Sequence, residues 1–296
     1  MRRWEFSKYL KEERGKAENT ILAYLRDIEA FEKFLASEGV VSLEQAENTH
    51  IVAYMMNMKG DKKAKSTINR RLSSIRSYYH WLMNTGYIDN DPTNRIKAPR
   101  VSKKDISFLS IEEVERLLDV PDESIKGMRD QAILEILYAT GIRISEAIEL
   151  KLSDVNMGMG FVECNGNHGR ARIVPFGGPA KKAMKKYLEL SRPALMNGRD
   201  VKDLNGPLFV NVQGEGFTRQ GIWKLLRMYG EQAHLTERLT SQTLRNSFAV
   251  HMVRNGIDMK ALQELMGHED IMATQAYYKH IRNRIRDIYT RTHPRA

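Results

Sequence analysis

Two tyrosines, Tyr277 and Tyr278, stand side by side in the stretch MGHEDIMATQAYYKH, residues 266–280, shortly after a Gly-His pair. A tyrosine hydroxyl can serve as a nucleophile that carries a covalent intermediate. Tyrosine alone decides little, because the chain holds 12 and most helical tyrosines only pack. Two arginines raise the interest. Arg143, in ATGIRISEAIELKLSDV, follows a glycine that ends a helical stretch, and Glu146 comes three residues later. Arg245 lies inside the apolar helical stretch TSQTLRNSFAVHMVRNGIDMKALQELMGHED, ahead of Gly267-His268. Taken singly, either arginine reads as half of a buried ion pair.

Several other chemistries have no support. No phosphate-cradling P-loop pattern occurs, which removes the usual signal for nucleotide hydrolysis. The GMG at residues 158–160 precedes a strand instead of opening a helix, so it is not a dinucleotide fingerprint. The eight histidines show no ligand spacing and no metal site is expected. Cys164 is the single cysteine, which excludes an intrachain disulfide.

Charge points toward a polyanion. The net charge is +10, and residues 1–104 carry +7 of it against +3 for residues 105–296. An excess so unevenly placed fits nucleic acid. No apolar run reaches membrane-span length, and the amino terminus lacks a signal-peptide core. No membrane partner is expected, and the expected compartment is the cytoplasm.

Helices must position these residues. Ile21, Tyr24, Leu25, Ile28, Phe31, Phe34 and Leu35 recur at three- and four-residue steps, with Gly39 as a stop. A second helix is expected over 48–58, and Ile68, Leu72, Ile75, Tyr79 and Leu82 mark a third, with Ser66 as its cap. Lys62, Lys63, Lys65, Arg70, Arg71 and Arg76 cluster around that helix start, where they suit phosphate contacts. Residues 89–107 have no helical period, hold two prolines and read as a basic linker. Ser110 and Glu113 then form a capping-box pair. A buried helix ends at Gly141, FVECNGNHGRARIVPF reads as two strands around a turn, and helical patterns fill most of the rest. The expected fold is mainly α with a small antiparallel β-sheet, in two domains. Residues 1–88 form a helical DNA-binding domain and 108–296 a mixed catalytic domain.

With these segments in view, the chain resembles the tyrosine recombinase family, the phage integrases and Xer-type recombinases. ATGIRISEAIEL resembles the first arginine box of that family, and SQTLRNSFAVHMVRNGIDMKALQELMGHEDIMATQAYY the second. ENTILAYLRDIEAFEKFL and STINRRLSSIRSYYHWLMNTGYIDNDPTNRIKAPR are similar to its core-binding domain. The resemblance implies site-specific DNA recombination, in which a tyrosine attacks a phosphodiester and a 3′-phosphotyrosyl link stores the bond energy. Arg143 and Arg245 would each offer a planar fork of donors to the charge growing on phosphorus-bound oxygens. His268 would donate to the phosphate or help deprotonate the tyrosine, and Glu146 would orient its neighbours. No metal, nucleotide or other cofactor is implied. The family spacing from the Gly-His histidine, and that from Thr274, both select Tyr277, whereas a Tyr-x-His pattern selects Tyr278 before His280. Tyr277 is the expected nucleophile.

Two positions depart from the family pattern. Gln242 stands where its second box begins with histidine, and a glutamine can donate a hydrogen bond but not exchange protons. Asn167 stands where the hairpin usually holds lysine; His168 or Arg170 are the candidate substitutes, His168 with the better intrinsic pKa. These departures support an alternative, a cleavage-deficient DNA-binding paralogue with an architectural or regulatory role. The tail, residues 282–296, is expected to dock on a neighbouring subunit through Ile285 and Ile288, linking a tetramer on synapsed double-stranded DNA. A second recombinase or an accessory protein is a further candidate partner.

Overall fold

The computed structural model describes residues 2–100, 105–165, 171–279 and 281. The chain divides into two compact units, Met1–Lys104 and Asp105–Ala296.

The first unit is helical: α1 (Arg2–Glu12), α2 (Glu18–Ser37), α3 (Asn48–Gly60) and α4 (Lys65–Asn84). The repeating apolar positions of α2 and α4 become its core, where Ile28, Phe31 and Leu35 meet Leu72, Ile75, Tyr79 and Leu82. Gly39 takes the left-handed conformation expected of a helix stop, with φ +81°. Ser66 is not the cap of α4. It lies inside the first turn, and Ala64 occupies the cap position without a side-chain hydrogen bond. The helix therefore starts two residues earlier than its capping chemistry suggests.

The basic cluster splits. Lys62, Lys63 and Lys65 are exposed. Arg70 instead pairs with the buried Asp27, at 2.5 Å, and Arg71 donates to the Tyr54 hydroxyl at 2.9 Å. Arg76 donates to the Ile96 carbonyl. A buried carboxylate needs a countercharge, so Asp27 recruits arginines that the helical pattern alone leaves facing solvent. In the stretch after residue 88, Asp91 and Thr93 are buried and Ile96 packs on the first core.

The second unit opens with α5 (Ile111–Leu118), capped as expected by reciprocal bonds between Ser110 and Glu113. Its centre is α6 (Ile125–Thr140), buried along its length and packed against later helices. After α7 (Ile144–Glu149) comes a small antiparallel sheet in the order β1 (Val155–Asn156), β2 (Phe161–Asn165), β3 (Ala171–Pro175). β2 and β3 are the two expected strands; β1, only two residues long, has no period to read. The sheet leads into α8 (Gly178–Lys186) and, through a π-type turn over Tyr187–Ser191, into α9 (Arg192–Met196). Then follow α10 (Arg219–Gln232), α11 (Ser241–Arg254), α12 (Met259–Met266) and a helical segment over 271–279. Among the described residues, no helix is long and apolar enough to cross a membrane.

Candidate active site

The site is built around the carboxy-terminal end of α12. A helix leaves its last carbonyls unpaired, and cations are favoured there. Three guanidinium groups use this end. Arg172 of β3 donates from Nε to the Leu265 carbonyl at 2.9 Å, Arg245 of α11 donates to that of Met266, and Arg143 donates from Nη2 to that of Gly267 at 3.0 Å. Gly267 ends the helix in the left-handed conformation, φ +58°, and a Cβ there would lie 2.8 Å from the Arg172 guanidinium. No larger residue satisfies both conditions.

A second left-handed glycine plays a parallel part. Gly141 ends α6 with φ +58°, and its carbonyl accepts the other arm of Arg245. A Cβ on Gly141 would meet the Phe248 ring at 2.3 Å. The chain then turns into α7, where Arg143 takes the cap position and its backbone N–H donates to Glu146 at 2.7 Å.

Glu146 balances the cluster. Its carboxylate is buried and receives both arms of Arg172, at 2.8 and 2.9 Å, plus Arg143 Nη1 at 3.1 Å. Burial pulls its pKa up, but the Arg172 hydrogen bonds, the Arg143 backbone bond and the two positive charges outweigh that and hold it below its ordinary value. Arg245 shows the opposite stress: burial first, then the neighbouring Arg143 charge, lower its pKa to about 10. It stays charged at neutral pH.

His268 follows directly. Burial, reinforced by Arg245, Arg143 and Arg172, lowers its pKa to about 4, so the ring is neutral at pH 7. Its Nδ1 is 2.9 Å from the Thr274 hydroxyl, and its ring lies parallel to that of Tyr277. Tyr277 packs among Phe248, Val250, Leu262 and Met266, and its hydroxyl donates to Asn246 Oδ1 at 2.9 Å. Burial raises the phenol pKa, while Arg245 and Arg143 pull it down by less. Tyr278 points elsewhere, with its hydroxyl on the Ile257 carbonyl.

The structure thus brings Arg143, Glu146, Arg245, His268 and Tyr277 into one neighbourhood. Gln242 donates to the same Asn246 oxygen at 2.8 Å and lines an open cleft of about 530 Å³ with Arg143, Arg245, Arg219 and Trp223. Asn167, His168 and Arg170 lie outside the described residues, as do Ile285 and Ile288. Sequence reasoning missed Arg172 and Asn246. Arg172 had a signal: alternation in RARIVP puts it on the face of the buried Val174, while Ile173 faces out. Asn246 had none beyond its place next to Arg245.

Comparison with known proteins identifies the family. Residues 107–284 match the model of the phage integrase family, and residues 4–86 that of the phage integrase N-terminal SAM-like domain. Tyrosine recombinase XerD of Listeria monocytogenes serotype 4b is 38% identical over 294 residues, which is 99% of this chain and 98% of the relative. Tyrosine recombinase XerD of Oceanobacillus iheyensis is 38% identical over 293 residues, with the same coverage. Among solved structures, the XerH site-specific recombinase bound to palindromic difH substrate, a post-cleavage complex, gives a TM-score of 0.78 at 20% identity over 97% of this chain and 84% of that one. The Tn1549 transposon integrase in complex with transposon right end DNA gives 0.73 at 18% identity over 97% and 98%. These two likenesses concern the fold. The family model spans more than half of the chain and the XerD relatives nearly all of it, so the chain belongs to the phage integrase family, as a Xer-type tyrosine recombinase, an enzyme of site-specific DNA recombination.

Proposed function

We propose that this chain cleaves and rejoins double-stranded DNA with Tyr277 as the nucleophile. The phenolic oxygen bonds to phosphorus as the bond to the 5′-oxygen breaks, leaving a 3′-phosphotyrosyl link and a free 5′-hydroxyl. A 5′-hydroxyl from another strand reverses the reaction, so no external energy source enters. The observation that carries this reading is the convergence of Arg143 and Arg245 on one open cleft, with Tyr277 adjoining Arg245's helix. Each guanidinium has five N–H donors and commits only some to protein oxygens, so the others can meet the equatorial oxygens of a phosphorane.

His268 is neutral and its Nδ1 is engaged by Thr274, which leaves Nε2 as the nitrogen for proton traffic with the phenol. Gln242 contributes an amide N–H to a phosphate oxygen in place of an acid. For the 5′-oxygen, His168 has the appropriate intrinsic pKa. Glu146 and Arg172 hold the arginines in place. The exposed Lys62, Lys63 and Lys65 contact DNA phosphates, and four copies linked by residues 282–296 synapse two sites in the cytoplasm.

The test is a nicked suicide duplex, its sequence selected on the wild-type protein from a randomised pool. A covalent protein–DNA adduct that maps by mass spectrometry to Tyr277 is expected. An adduct on Tyr278 overturns the assignment of the nucleophile, and the absence of any adduct overturns cleavage.

A further inference from the structure

The least expected side chain in the site is Asn246, on α11 directly after Arg245. It is 8% exposed, and three hydrogen bonds fully engage its amide oxygen and anchor its amide nitrogen. Nδ2 donates to the Ser107 carbonyl at 2.8 Å; Oδ1 accepts from Gln242 Nε2 at 2.8 Å and from the Tyr277 hydroxyl at 2.9 Å.

The direction of each bond follows from chemistry. A carbonyl can only accept, so Ser107 dictates that the amide nitrogen faces it. The amide oxygen must then face Gln242 and Tyr277. The phenol is left with no choice but to donate its hydrogen to Asn246, which turns its lone pairs, the electrons of the attack, away from that residue. Both lone-pair sites of the amide oxygen are filled, and the arrangement has no alternative flip.

An amide oxygen is not a base at neutral pH, so Asn246 cannot remove the proton. What it can do is fix position. The Tyr277 ring is held at its face by His268 and at its hydroxyl by Asn246, and the same oxygen ties the phenol to Gln242 on the cleft wall. We propose that Asn246 is a positioning residue for strand cleavage, setting where the Tyr277 hydroxyl sits and which way its hydrogen points. This rests on Tyr277 being the nucleophile.

Two substitutions separate this role from support of the fold. Asn246→Leu has similar volume and removes all three bonds. Asn246→Asp also removes the N–H donated to Ser107 but keeps oxygens for Tyr277 and Gln242. Single-turnover adduct formation is measured on the nicked, selected duplex, with duplex affinity measured alongside. Asn246→Leu should form adduct on the order of a hundredfold more slowly at unchanged affinity, the scale of a small misplacement of a reacting group. Asn246→Asp should keep most of the rate and show a pH profile different from that of the wild type, because a titratable carboxylate now accepts from the Tyr277 hydroxyl. Equal losses in the two variants overturn the proposal, because the shared defect is the Ser107 bond. A wild-type rate in Asn246→Leu overturns it as well. If Asn246→Leu does not fold, the pH profile of Asn246→Asp decides, and a profile identical to wild type counts against the role. A wild-type adduct on Tyr277 with indifferent variants removes only the role of Asn246; no wild-type adduct on Tyr277 removes the underlying reading too.

Discussion

His268 and Tyr277 lie ring against ring, with centroids 6.3 Å apart and planes within 7° of parallel. The neighbouring Tyr278 is turned to the Ile257 carbonyl. Adjacent residues on a helix point about 100° apart, so the two hydroxyls cannot serve the same phosphate. The stacked pair places a neutral imidazole beside the phenol while Thr274 holds the other side of the imidazole.

This relationship separates the two tyrosines by experiment. Tyr277→Phe keeps the ring and its packing, so DNA binding should be unchanged while covalent adduct is lost. Tyr278→Phe should still form adduct. Gel shift and denaturing gels on a nicked duplex read both properties.

Arg143→Ala and Arg245→Ala should each slow cleavage by on the order of a hundredfold or more, as expected when a principal donor to transition-state charge is removed. Single-turnover rates at saturating DNA are the measure. Arg245 also ties the ends of two other helices, at Gly141 and Met266, to its own, so its variant should unfold at lower temperature than that of Arg143.

The Glu146–Arg172 pair should appear in the acid stability of the second unit. The folded pKa of Glu146 lies below its ordinary value, so its contribution is present above the unfolded value, about 4.3, and is lost as pH falls through the folded one. Glu146→Gln leaves Arg172 without its countercharge and should cost about 3 kcal/mol at pH 7. It should also flatten the dependence of the unfolding midpoint on pH below the ordinary carboxylate range. A variant with the wild-type slope there would rule out Glu146 as the titrating group.

His268 titrates in a different window. Its folded pKa of about 4 lies below the ordinary 6.5, so the unfolded chain binds the proton first. Stability should decline as pH drops from about 6.5 toward 4, and His268→Gln should lessen that decline, leaving the part that buried His251 contributes in the same direction and the more acidic one. Thermal melts at closely spaced pH values distinguish the two.

The tail offers an assembly test. Deleting residues 282–296 should spare binding to a single site and abolish synapsis of two. Synapses formed normally by the truncated protein, counted by native gel or light scattering, would disprove docking of the tail on a neighbour.

Local pattern was enough for much of this protein. Helical periodicity located α2 and α4, an apolar run ending in Gly141 marked α6, the Ser110–Glu113 pair announced α5, and the resemblance of two nearly unbroken motifs to the tyrosine recombinase boxes singled out Arg143, Arg245, His268 and Tyr277. Tertiary structure alone decided the rest. Arg70 and Asp27 are 43 residues apart, Arg172 and Glu146 are 26 apart, and Tyr277 and Asn246 are 31 apart. A buried charge or hydroxyl takes whichever partner the packed elements bring within about 3 Å, and sequence periodicity carries no record of that choice. Burial did the same for charge state. The residue type of His268 gives an ordinary pKa; burial first, and then the arginines at the end of α12, lower it to about 4.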